Sequence, residues 1–261
     1  MSYVDANGVH TYYQEHGSGG PLLLLHGGLV DGDSFGQQTP AFAERYRVIV
    51  PDRRGHGRTP DVDGPITYEV MADDTIAFMD ALGTGPAHLV GWSDGGDVGL
   101  LVALKRPDLV RRLVTIGSNF SADGLMPEAA DVFKPDTPTS AVPIMHETWK
   151  VNAVDPERFE TVLEKMQRCW FDYAVSTADL AHIAAPTLVM VGDDDIARFE
   201  HTIELYDAIP DAQLAVIPGA SHLVPLEKPD LVNRLVLDFL AAEGATMTMM
   251  PLRRADPAMG Q

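Results

Sequence analysis

Cysteine is nearly absent: Cys169 stands alone among 261 residues. One thiol excludes an intrachain disulfide and a cysteine-built metal centre. It is also the usage of a reducing compartment, so a cytoplasmic location is expected. Long hydrophobic runs are missing too. No stretch approaches the ~20 uninterrupted apolar residues of a membrane-spanning helix, and the opening MSYVDANGVHTYYQEHG lacks the basic-then-apolar order of a secretory signal. Positive charge is scarce: 19 Lys and Arg face 38 Asp and Glu, for a net charge of -19. That field repels phosphate backbones and anionic lipid, so neither nucleic acid nor a membrane surface is expected as a partner.

What is present is ordinary for a globular chain: 45% hydrophobic and 22% charged residues, enough for one large domain with an insertion. Two β-prone runs flank Asn7-Gly8, a hairpin signal. PLLLL at 21–25, YRVIVPD at 46–52, AHLVG at 87–91, VRRLVTIGS at 110–118, APTLVMVG at 185–192 and AQLAVIPG at 212–219 are short apolar runs, as in strands covered on both faces. Amphipathic helical spacing separates them near 37–45, 68–82, 98–105, 201–208 and 229–243. The alternation predicts an α/β fold with a mostly parallel sheet and helices on both faces. It breaks at 119–184, where prolines precede a helix-like stretch without a buried-strand signature. The expected organisation is therefore a core of 1–118 and 185–243, a small, largely helical lid at 119–184, and a disordered tail at 244–261.

The chemistry concentrates in GWSDGG. Gly91, Ser93 and Gly95 fit G-x-S-x-G at the end of an apolar strand, just before a helix. Such a turn exposes the serine hydroxyl, while the glycines remove side chains that would collide with the neighbouring strand and helix. A serine needs a base to remove its proton. Two later strand ends supply an acid and a base in the order this turn requires: GDDD with Asp193, Asp194 and Asp195, then GASH with His222. Asp195 is the preferred acid; Asp193 and Asp194 are expected to hold the loop or face solvent. The oxyanion would be met by backbone N–H groups of Asp94 and of the His26-Gly27-Gly28-Leu29 loop. Leu29 is the expected loop donor, Gly28 the alternative, and His26 a structural residue. Trp92, Phe35, Met145, Trp149, Trp170 and Phe171 are candidates for an apolar substrate pocket or for plain core. Asp94 either caps the following helix or pairs with a cationic substrate group.

These motifs, with PDRRGHGRT carrying Asp52, Arg54, Gly55 and Gly57, resemble the α/β-hydrolase family over nearly all of 1–243. GWSDGG followed by IGSNFSADGLMPE is similar to the valacyclovir-hydrolase (biphenyl-hydrolase-like) branch. The resemblance implies a serine hydrolase of small carboxylic esters, some bearing an α-amino group that the residue at Asp94 holds. It implies neither metal nor organic cofactor. The partner is a small acyl substrate, and monomer and homodimer are both compatible with the sequence. Lactone, thioester or C–C hydrolysis and cofactor-free perhydrolysis use the same three residues and remain alternatives. A non-catalytic ligand receptor would have no need of the intact set.

Overall fold

In the computed structural model, which describes residues 2–244 and 248–250, Asn7 and Gly8 take φ of +48° and +75°. They close a hairpin between β1 (Ser2–Ala6) and β2 (Val9–His16). β2 pairs antiparallel with β4 (Tyr46–Pro51). From there β3 (Gly20–Leu25), β5 (Ala87–Trp92), β6 (Val110–Ile116), β7 (Thr187–Asp194) and β8 (Ala212–Ser221) continue in parallel. The described strands form one eight-stranded sheet ordered β1-β2-β4-β3-β5-β6-β7-β8.

Successive strand side chains point to opposite faces, so an unbroken apolar run feeds two cores. Leu23 and Leu25 of β3 enter one cluster with α2 (Tyr68–Leu82), α3 (Asp94–Lys105) and α8 (Phe199–Ala208). Leu22 and Leu24 enter the other, with α1 (Thr39–Ala43) and α10 (Pro229–Ala241). Helix α2 shows how its ends are set. The Thr67 hydroxyl accepts from the Val70 N–H at 3.2 Å, and Gly83 ends the helix at φ +59°.

Between β6 and β7 the chain forms α4 (Pro127–Phe133), α5 (Pro143–Lys150), α6 (Phe159–Phe171) and α7 (Thr177–Leu180), and it adds no strand to the sheet. Asp61, on the loop after β4, pins this segment by accepting from Arg158 and, at 2.7 Å, from Lys165. The short α9 (Val224–Glu227) follows the last strand. Most of the tail at 244–261 lies outside the described residues. Among the described residues no helix is long and apolar enough to cross a membrane.

The β5–α3 turn is the tightest junction. A methyl at Gly95 would sit 1.8 Å from the Leu25 carbonyl oxygen, and one at Gly91 would sit 2.2 Å from the Gly95 oxygen. Backbone cannot yield as a flexible side chain can. Gly95→Ala is expected to lower unfolding stability by about 3 kcal/mol or more. Gly99→Ala, whose methyl would meet only the Leu113 side-chain end at 2.8 Å, should stay within about 1 kcal/mol of the parent. Urea unfolding of the two variants checks the contrast, and equal losses would overturn it.

Candidate active site

Ser93 lies on that turn at φ +54° and ψ -126°, a backbone conformation rarely adopted by L-residues and costing about 1–3 kcal/mol. It is held there by its own N–H, which donates to the Ile116 carbonyl at 2.7 Å, and by its carbonyl, which accepts from the Gly96 N–H at 2.7 Å. The hydroxyl is thereby turned toward the loop after β8. His222 Nε2 is 3.0 Å from Ser93 Oγ, and His222 Nδ1 is 2.7 Å from Asp195 Oδ1. The Asp195 carboxylate is buried, with 1% of its side chain exposed. Burial alone would push its pKa up. The bond from His222 and the N–H groups of Ala197 and Gly192 outweigh it and hold the carboxyl below its usual range. An ionised acceptor there requires Nδ1 to carry the ring proton, which leaves Nε2 free to take the hydroxyl proton.

Asp193 instead accepts from the Ala220 N–H at 3.2 Å, and Asp194 is exposed. Two supports were not visible in the motifs. The Trp92 indole N–H donates to the His222 carbonyl at 2.9 Å, fixing the histidine loop. Gly117, at φ +58°, lies where a methyl would come within 2.9 Å of His222 Nδ1 and 3.0 Å of Asp195 Oδ2.

A cleft of about 780 Å³, its open mouth included, runs from Ser93 and His222 beneath the β6–β7 segment. Of the candidate pocket residues, Trp92, Asp94, Met145 and Trp170 line it. Phe35 and Trp149 do not. Phe35 is fully buried, its ring 6.5 Å from that of Trp92, and Trp149 packs against Phe159 at 5.3 Å. Both were drawn into the core because burying a large ring outweighs lining a wet cleft. Phe171 is half-buried and likewise off the cleft. Leu29, the expected loop donor, is placed differently from the two glycines before it. Its side chain is fully buried in the core and the residue does not reach the cleft, whereas Gly27 and Gly28 line it. His26 is fully buried, its Nε2 accepting from the Arg53 N–H at 2.9 Å.

Asp94 does not cap α3 through its side chain. Helix α3 begins at Asp94 itself, and the carboxylate turns to the cleft wall. There it accepts from the Tyr68 hydroxyl at 2.8 Å and from the Trp170 indole N–H at 3.1 Å. Asp97 lies one turn further on, 3% exposed, and accepts from the Asn119 N–H at 2.8 Å. The i, i+3 spacing from Asp94 was the available signal for this residue. Tyr68 and Tyr173, which also line the cleft, had none, since they come from distant elements. Burial first, and then the charge of Asp94, push the Asp97 pKa well above the carboxylate range. Among the described residues no group of three or more His, Cys, Asp or Glu could hold a metal ion.

Because Asp97 binds its proton more tightly folded than unfolded, it lowers stability as pH rises from the ordinary carboxylate pKa through its raised folded value. Asp97→Asn keeps an acceptor for Asn119 and cannot ionise. The variant is expected to match the parent near pH 4 and to exceed its stability at pH 8. Urea midpoints across that range test this, and a difference that does not grow with pH would contradict it.

Residues 22–235 match the model of the alpha/beta hydrolase family. The chain is 30% identical to the putative carbamate hydrolase RutD of Azorhizobium caulinodans, over 92% of this chain and 98% of that one. Among solved structures, a meta-cleavage product hydrolase from Pseudomonas fluorescens superposes with a TM-score of 0.79 at 26% identity, covering 92% of this chain and 97% of that one. A thermophilic esterase from Thermogutta terrifontis superposes with a TM-score of 0.78 at 28% identity, covering 92% and 98%.

Proposed function

This chain belongs to the alpha/beta hydrolase family and is a hydrolase, and on that premise we propose that it cleaves small carboxylic esters through a covalent acyl-enzyme on Ser93. The observation that carries the reading is the unbroken line from Ser93 Oγ to His222 Nε2, at 3.0 Å, and from His222 Nδ1 to Asp195 Oδ1, at 2.7 Å, at the floor of a cleft. Ser93 Oγ attacks the ester carbonyl as its proton passes to His222 Nε2. The carbonyl oxygen becomes an oxyanion that accepts from the N–H of Asp94, first residue of α3, and of Gly28. His222 returns the proton to the departing alcohol. Water then repeats the sequence on the acyl-enzyme, releasing the acid and restoring the serine. Asp195 holds the reactive tautomer and stabilises the imidazolium.

The β6–β7 segment acts as the lid, and its Met145 and Trp170, with Trp92, form the apolar part of the substrate site. Asp94 presents a carboxylate to the cleft where the resemblance to valacyclovir-hydrolase proteins calls for an α-amino group. Tyr68 and Trp170 use only part of its acceptor capacity. The substrate is thus a compact ester, apolar near the carbonyl, with an α-amino acyl group as the preferred variant. The carbamate for which one relative is named also carries a carbonyl, which the same three residues could attack.

Turnover of a p-nitrophenyl ester tests the reading. Ser93→Ala should lower kcat by a factor on the order of 10⁶ while leaving the unfolding transition intact. Retention of more than about a tenth of the activity would defeat the nucleophile assignment. Among the aspartates, Asp195→Asn should cost on the order of 10⁴ in kcat, by analogy with the protease case in which the orienting acid is lost. Asp193→Asn and Asp194→Asn should each cost far less. If Asp194→Asn proves the most damaging of the three, the acid has been misassigned.

A further inference from the structure

Arg53, directly after Asp52 at the end of β4, is 5% exposed, a costly place for a guanidinium. One arm of its fork is spent on backbone. Nη2 donates to the His26 carbonyl at 2.5 Å and to the Gly27 carbonyl at 2.9 Å, while Nη1 meets Met71 Sδ at 3.2 Å and Nε has no partner. A leucine or methionine would fill this space without the desolvation cost. The contacts therefore point to what the charge does to the loop it grips.

The same loop constrains His26. Its Nε2 accepts from the Arg53 N–H, so Nδ1 carries the ring proton and donates to the Gly27 carbonyl at 2.7 Å. Burial and the neighbouring Arg53 charge keep this ring neutral, its pKa well below the ordinary histidine value. The Gly27 oxygen thus receives two donors, one of them charged. A trans peptide is planar, with C=O and the following N–H antiparallel, and no cis bond occurs among the described residues. With the Gly27 carbonyl turned to Arg53, the Gly28 N–H is turned the opposite way. Gly27 lies where a methyl would touch Ser93 Cβ at 3.4 Å, and Gly28 lines the same cleft. A charge-assisted bond to a carbonyl also polarises its amide and makes the N–H a stronger donor.

We propose that Arg53 is a positioning residue for the reaction: by gripping the Gly27 carbonyl it aims the Gly28 N–H at the oxyanion formed on Ser93 and strengthens it as a donor. The inference rests on the serine acyl-transfer reading. It assigns to the second residue of the D-R-R-G run a part that bracing the β4 loop does not require, because the bracing bonds come from others. Asp52 accepts from the Gly32 and Arg58 N–H groups at 2.9 and 2.8 Å, and Arg54 pairs with Asp74.

Arg53→Met and Arg53→Lys test it in the full-length protein. Methionine keeps the volume and loses charge and donors; lysine keeps the charge and one donor but not the fork. For p-nitrophenyl acetate, Arg53→Met is expected to lower kcat/KM by about 30- to 100-fold, toward the range seen when an oxyanion donor is removed. Arg53→Lys should recover about a third to a tenth of the parent value. A trifluoromethyl ketone, whose adduct with Ser93 carries the same oxyanion, should lose affinity in each variant by the same factor as kcat/KM. Inhibition by the alcohol product, which bears no oxyanion, should change by less than about threefold. Parent-like kcat/KM in Arg53→Met, or equal weakening of ketone and alcohol, would overturn the proposal. So would loss of the cooperative unfolding transition in both variants, which would assign Arg53 to the fold alone. Ser93→Ala run alongside separates the two readings. Activity surviving in Ser93→Ala sinks the acyl-enzyme, whereas a dead Ser93→Ala beside a parent-like Arg53→Met sinks only the role of Arg53.

Discussion

The close approach of the Ser93 turn to β3 is the constraint on which the rest of the molecule depends. Gly95 lies so near the Leu25 carbonyl that no side chain fits between them, and this contact sets where α3 starts and which way Ser93 faces. The strained backbone of Ser93 is tolerated because both its N–H and its carbonyl are bonded, to Ile116 and Gly96. Strain of this kind persists only where the surroundings over-determine it. The strand order supplies those surroundings. β5 lies between β3 and β6, so the turn is clamped by the His26–Gly28 loop on one side and by Gly117 on the other.

Charge within the cleft follows a second logic. Asp94 and Asp97 share one helix face, both almost fully buried, and Arg53 lies close enough for Asp94 to oppose the loss of its charge. Two carboxylates held this way do not both ionise cheaply. Burial and the neighbouring Asp94 push the Asp97 pKa up, while the Tyr68 and Trp170 donors are both directed to Asp94. The cleft wall thus holds a definite pattern of donors and acceptors instead of a diffuse negative field, in contrast to the -19 of the whole chain.

The β6–β7 segment packs Phe159, Val162, Leu163 and Met166 into the same buried cluster as Leu23 and Leu25, and polar ties add to that packing. It is tied to the sheet-bearing part through Asp61 with Lys165 and Arg158, through Asn152 with Asp31, and through the Val154 N–H with the Gly57 carbonyl. On the sheet-bearing side these ties are made by loops and not by the strands, and the carboxylates of Asp61 and Asp31 that receive them are buried. A hydrolase family whose members differ in substrate can vary this segment while the β5 turn and the β7 and β8 loops stay the same.

Much of this was readable in one dimension because it rests on local rules. Asn7-Gly8 closes a hairpin by its positive φ, unbroken apolar runs such as Leu22–Leu25 demand cover on both faces, and Ser93 between glycines at a strand end requires a turn. Chain order then assigned His222 and an aspartate among three. Whether Phe35 and Trp149 line the cleft and which way Asp94 points were not readable. Each depends on a partner from a distant element: Trp92 for Phe35, Phe159 for Trp149, Tyr68 and Trp170 for Asp94. Arg53 is the sharpest case, since nothing in PDRRGHGRT separates it from Arg54. The sequence by itself determined the strand–helix alternation and the candidates for the reactive residues, because backbone sterics and proton chemistry act through residue type and local order. Only the tertiary structure decided the pocket wall and the aim of its donors, because those depend on which side chains meet across the sheet.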